Sequence, residues 1–169
     1  IKNGGDRFLL EMATGTGKTT TSAAIIKMFL RLYKVNRVLF LVDRLELENQ
    51  AKKEINDILQ NDFETAIWKE NKDDWRRANI VISTVQSFTK HNKYKRIFKP
   101  NSFDLVISDE AHRSLGQRSR NVFEYFIGFK LGLTATPRDF LKSVNEDDMS
   151  MIDPKQLERR LMLDTYSIF

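Results

Sequence analysis

Two stretches of the chain carry residue types that act together on phosphate. The first is Ala13-Thr14-Gly15-Thr16-Gly17-Lys18-Thr19. Its glycines let the backbone curl until N–H groups converge on phosphate oxygens. The lysine after the second glycine can reach the β- and γ-phosphates, and the next hydroxyl can bind Mg²⁺. The second stretch is Asp109-Glu110-Ala111-His112, which ends the apolar run at residues 103–108 (FDLVIS). Paired carboxylates at the end of a buried strand lose hydration and need a compensating role. There Asp109 can hold Mg²⁺ through a coordinated water, and Glu110 can orient and polarise the water that attacks a γ-phosphate.

The first stretch follows an apolar run and opens an amphipathic one, which is the setting of a Walker A loop. The helix start adds partial positive charge to the cradle. The expected nucleotide-binding residues are Thr14, Gly15, Thr16, Gly17, Lys18, Thr19 and Thr20. The match is partial, because Met12 stands where the full pattern opens with glycine. The expected metal ligands are Thr19 and Asp109, and the expected cofactors are ATP and Mg²⁺. Lys18, Glu110, His112, Thr134 and Thr136 make up the candidate catalytic set. For His112 a structural role stands beside one facing the nucleotide cleft. Thr134-Ala135-Thr136-Pro137 can either direct two hydroxyls toward the carboxylates or form an ordinary Thr-rich turn ending in proline.

These residues must be held by strands and helices in alternation. Short apolar runs alternate with amphipathic stretches, the pattern of an α/β fold with a mostly parallel central sheet. Strands are expected at residues 8–12, 37–42, 64–68, 79–83, 103–108 and 129–134. Helices are expected at residues 18–33, after Asp43 (with Leu47, Ala51, Ile55, Ile58 and Leu59 at helical spacing) and around 121–126. Asp43 and Glu46 have the spacing of a capping box for the second helix. Residues 143–148 are acidic and polar and 155–160 are charged, so residues 138–169 read as a connector leaving a domain of residues 1–137.

Composition narrows the chemistry further. The 169-residue chain has no cysteine, which excludes disulfides and thiol catalysis, and its two histidines make a histidine-rich metal site a poor reading. Absent cysteine is compatible with a cytoplasmic setting. No apolar run approaches the ~18 residues that span a bilayer. The net charge of +5 fits a polyanionic partner as well as an ordinary basic surface. Residues 90–99 (KHNKYKRIFK) interleave basic side chains with Tyr94 and Phe98, either as a phosphate-binding face or as a solvated amphipathic stretch.

ATGTGKT, DEAH and TATP, in this order, resemble motifs I, II and III of superfamily 2 helicases and translocases. With MATGTGKT, FLVDR, STVQSF, DEAHRS and GLTATP taken together, the chain looks like the motor subunit of type I restriction enzymes. The resemblance implies a three-layer RecA-like P-loop domain and ATP-driven movement along double-stranded DNA. It also implies modification and specificity subunits as partners, and a second RecA-like domain and a nuclease domain in the same full-length chain. Carried over by position, Val42-Asp43-Arg44 corresponds to motif Ia and Ser83-Thr84-Val85-Gln86 to the next DNA-facing motif, so Arg44, Thr84 and Gln86 are candidate backbone-phosphate contacts. For Asp43 and Arg44, helix capping and a solvated arginine remain an equal reading. The chain is expected to be a fragment, beginning after the adenine-recognising glutamine motif and stopping before the arginine-bearing second lobe. Two other functions stay open: a superfamily 2 DEAH-type helicase of DNA repair or RNA metabolism, and a non-catalytic P-loop binding module.

Overall fold

The computed structural model describes residues 5–13, 15–32, 34–60, 62–68, 70, 73–109 and 117–134. Thr14, Glu110, His112, Thr136 and the connector at 138–169 lie outside the described residues.

Six strands form one sheet: β1 (Arg7–Glu11), β2 (Val38–Val42), β3 (Thr65–Ile67), β4 (Ile80–Thr84), β5 (Leu105–Ser108) and β6 (Phe129–Thr134). Their spatial order is β1-β6-β5-β2-β4-β3, and every pairing is parallel. Parallel strands need crossovers, which α1 (Lys18–Arg31), α2 (Glu46–Leu59), α3 (Asp74–Arg77), α4 (Val85–Thr89), α5 (Lys93–Ile97) and α6 (Gln117–Tyr125) help to build.

The helices cover both faces. β2 is buried at every position, so its alternate residues serve two cores. Val38, Phe40 and Val42 pack with Ala23, Ile26 and Leu30 of α1 and with Ala51, Ile55 and Leu59 of α2. Leu39 and Leu41 face a second core that holds Trp75 of α3, Phe88 of α4, Tyr94 of α5 and Val122 and Phe123 of α6. The result is the α/β fold expected from the alternating pattern, in the three layers that the family resemblance implies.

Tyr94 and Phe98 belong to this aromatic core, with Phe88 stacked on Tyr94 at 5.5 Å between ring centroids. They are therefore not a stacking surface, and the basic residues between them point outward because the rings point in. At the opposite edge of the sheet the chain is held by backbone approach. A Cβ on Gly128 would lie 2.5 Å from the Asp104 backbone, and Phe129 N–H donates to the Asp104 carbonyl at 2.8 Å. The Asp104 carboxylate also accepts from the N–H groups of Asn36 and Arg37, tying the entry of β2 to that of β5.

The expected capping box at α2 is not the one observed. The cap position falls at Leu45, because the backbone turns helically one residue after Arg44. Leu47 and Glu48 N–H donate to the carbonyls of Arg44 and Leu45, so main-chain oxygens take over amides that a carboxylate would otherwise cap.

Candidate functional site

In a parallel sheet all strands present their carboxyl ends at one edge, and ligands bind outside that edge. Here the sheet order sorts the candidate residues along it. β1, β6 and β5 are neighbours, and they end at the glycine-rich loop, at Thr134 and at Asp109. β2 and β4 lie beyond β5, and they end at Asp43-Arg44 and at Thr84. At about 4.8 Å between strands, five strand ends span only about 20 Å.

The loop is a cradle. Gly15 and Gly17 adopt φ of 78° and 85°, the left-handed region that glycine enters without steric cost. Nothing lies within 4 Å of where a Gly15 Cβ would sit, so space is open beside the turn. Thr16 braces the turn by donating both its N–H and its hydroxyl (2.7 Å) to the Ala13 carbonyl. Gly17 stands at the start of α1 with no side chain capping it, which leaves the cap position to a ligand. Lys18 is 7% exposed and Thr19 half-buried, so the cation and the hydroxyl are held at the first turn rather than extended into solvent. Thr20 is turned elsewhere: its hydroxyl donates to Glu54 of α2.

Main-chain hydrogen bonds tie the ends of β1 and β6 to each other and the end of β5 to β2. Met12 N–H donates to the Thr134 carbonyl at 2.8 Å, so the loop is pinned where β6 ends. Met12 takes the place of the missing glycine as an extended residue beyond β1, continuing the β1–β6 ladder in which Glu11 faces Thr134. Thr134 is 1% exposed. Asp109 is half-buried, and its N–H donates to the Leu41 carbonyl of β2 at 2.8 Å. The residue expected to hold the metal is thus fixed against the strand that leads to Arg44.

The two candidate DNA motifs differ in character. Arg44 keeps 66% of its side chain exposed and meets the carboxylate of Asp43 at 3.4 Å, so it is available at the edge. Thr84, expected to reach a phosphate, is 3% exposed; its hydroxyl accepts from Ser87 N–H at 3.1 Å and caps α4. Thr84 therefore positions α4, and Gln86, exposed in the first turn, is the side chain that faces outward.

One residue near these motifs has no signature in the sequence. Glu48 of α2 is buried and accepts from Thr84 N–H at 2.7 Å. Burial raises its pKa, and the Thr84 N–H opposes that rise while the neighbouring Glu70 adds to it. Glu70 is itself paired with Lys52 at 3.0 Å. Glu48 joins the helix after the VDR motif to the backbone of the STVQ motif. A glutamate at a helical core position was the only available hint, and its partner lies 36 residues away.

The chain is similar to known proteins in sequence and in fold. The family model described as "Type III restriction enzyme, res subunit" matches residues 1–139. The chain is 37% identical to the type I restriction enzyme EcoAI endonuclease subunit of Escherichia coli, over 82% of this chain and 18% of that protein. The chain thus spans about a fifth of the length of that curated relative. Among solved structures, the SWI2/SNF2 ATPase core of Sulfolobus solfataricus in complex with dsDNA aligns with a TM-score of 0.65 at 16% identity, covering 89% of this chain and 31% of that one. A nuclease-deletion mutant of the type ISP restriction-modification enzyme LlaGI, bound to a DNA substrate mimic, aligns with a TM-score of 0.62 at 24% identity, over 80% and 16% of the two chains. These likenesses place the fold among RecA-like helicase domains.

Proposed function

From the premise that the chain belongs to the type III restriction enzyme res subunit family, we propose that it is the first RecA-like lobe of an ATP-driven motor that moves along duplex DNA. The observation that carries this reading is the sheet order, which sets the phosphate cradle, Thr134 and Asp109 on three neighbouring strand ends. Such an edge fits a Mg²⁺-bound nucleoside triphosphate. The loop offers converging N–H groups around two left-handed glycines, and Lys18 supplies charge at the helix start. Mg²⁺ retains waters and takes one or two protein oxygens plus phosphate oxygens, a demand that Thr19 and Asp109 meet. When bound, it neutralises charge on the phosphoryl group being transferred.

In this reading the protein's own groups have separate tasks. The loop N–H groups and Lys18 hold the phosphates in line. Glu110 orients the attacking water and accepts its proton. Thr134 and Thr136 answer the change at the carboxylates. His112 and Thr14, which belong to the same two sequence motifs, complete the set that serves the nucleotide in this proposal. The Asp109 main chain, bonded to β2, passes that change toward Arg44. On the DNA side, Arg44 and Gln86 touch backbone phosphates, which fix position without reading sequence, as a motor that moves over any sequence requires.

The whole protein would then be the restriction subunit of a type I system, with a nuclease domain, a second lobe, and modification and specificity subunits as partners. The EcoAI endonuclease subunit, 37% identical, supports that assignment. Among the described residues no helix is long and apolar enough to cross a membrane. A triplex-displacement assay on the complete protein tests the activity. ATP should drive displacement of a third strand while the duplex itself stays paired. Separation of the duplex strands without triplex displacement would instead support a helicase.

A further inference from the structure

After Thr84 the chain does not return directly to the sheet. α4 ends at Thr89, whose hydroxyl donates back to the Val85 carbonyl at 2.7 Å. A tight turn over Lys90–Asn92 follows, and α5 starts at Lys93. His91 and Asn92 have φ of 56° and 53°, consecutive non-glycine residues in the left-handed region. Such a conformation persists only where the surroundings over-determine it. Here the surroundings are the stacked rings of Phe88 and Tyr94, one on each side of the turn and both fully buried. The stack anchors the turn from below and presents Lys90, His91 and Asn92 to solvent.

Beside this turn lies a cavity of about 730 Å³, lined by Gln86, Lys90, His91, Asn92 and Asn121 among others. The lining is a cation, an imidazole, three amides, the hydroxyl residues Ser87 and Thr89, and Tyr94. Tyr94, the aromatic residue of the lining, is fully buried, with its ring packed in the core. Apart from the His91 imidazole the lining offers no face for stacking a base, whereas its donors suit phosphodiester oxygens. The cavity is continuous with Gln86, the outward residue of the STVQ motif.

We infer that this cavity is a second contact for the sugar–phosphate backbone of the duplex, with Lys90 as its charged anchor and His91, Asn92 and Asn121 as hydrogen-bonding partners. The inference rests on the motor reading above, since it extends the DNA track from Gln86. It also divides the basic tract. Beyond Lys93 the chain runs toward the other edge of the sheet, where Ile127 N–H donates to the Pro100 carbonyl. Lys95 lies over the rings of Tyr94 and Tyr125 at 5.8 and 5.7 Å, on the descending helix and outside the cavity. Lys95, Arg96 and Lys99 are therefore solvated charges that do not touch DNA.

The test is duplex binding by the complete protein at several salt concentrations, using a short fluorescein-labelled blunt duplex. Lys90→Ala should weaken binding several-fold at low salt and lower the slope of log K against log salt by about 0.9, the release expected for one phosphate. Lys95→Ala removes the same charge and should leave the slope at its wild-type value. Unchanged melting midpoints and ATP affinity would show that both variants fold. A wild-type slope for Lys90→Ala, or an equal loss in both variants, would overturn the inference while leaving the motor reading intact. A wild-type protein that fails to bind duplex at all would overturn the motor reading itself.

Discussion

Gly17 shows how much one position decides. Its φ of 85° is needed for the loop to curl, yet an added Cβ would meet only Thr20 at an ordinary 3.7 Å. The cost of Gly17→Ala is thus backbone strain alone, about 1–2 kcal/mol for a left-handed L-residue. The variant either keeps the loop and loses that stability, or relaxes the loop and loses about tenfold or more in nucleotide affinity. Melting curves with and without Mg·ATP distinguish the two; unchanged midpoints in both conditions would show that the cradle does not need this geometry. The glycines and Lys18 were legible in the sequence because residue type alone defines a phosphate loop. Thr84 and Thr20 were read less well. A hydroxyl in a motif can serve a ligand or a neighbouring helix, and only the fold shows that Thr84 caps α4 and that Thr20 donates to Glu54.

Strands and long helices announce themselves by their period, and the six strands and the helices over Lys18–Arg31 and Glu46–Leu59 fall where that period placed them. The helices over Asp74–Arg77, Val85–Thr89 and Lys93–Ile97 did not, since four or five residues cannot display a 3.6-residue repeat. The tie between α2 and the end of β4 was equally hidden, because it joins a carboxylate to the main-chain N–H of Thr84. That tie has a pH signature. Burial raises the Glu48 pKa, so the folded chain holds this proton more tightly than the unfolded one. Its contribution is present below the unfolded carboxylate range and is lost as pH rises through the folded value. Glu48→Gln keeps an acceptor for Thr84 without the charge. It should be at least as stable as wild type at neutral pH, with the difference vanishing in acid. Glu48→Ala strands a buried N–H and should cost about 1–3 kcal/mol. Denaturant midpoints across pH check both, and a Gln variant as damaged as Ala at neutral pH would refute the tie.

In the proposed reading the whole arrangement is half of an active site. A motor of this kind closes its nucleotide between two lobes, the second supplying arginines to the transferred phosphoryl group. An arginine finger is worth roughly 10³–10⁵ in rate. In the proposed reading, this lobe separated from a second one should therefore bind nucleotide weakly and turn it over slowly or not at all; robust DNA-stimulated turnover by the lobe alone would contradict that division of labour. The sheet order that makes the half-site was not legible in advance. Strand existence follows from local pattern, whereas the insertion of β6 between β1 and β5 depends on long crossovers. The most direct test of the account is duplex-stimulated ATPase in the complete protein carrying Lys18→Ala or Glu110→Gln. Either change should abolish turnover while duplex binding persists. Normal turnover in either variant would contradict it.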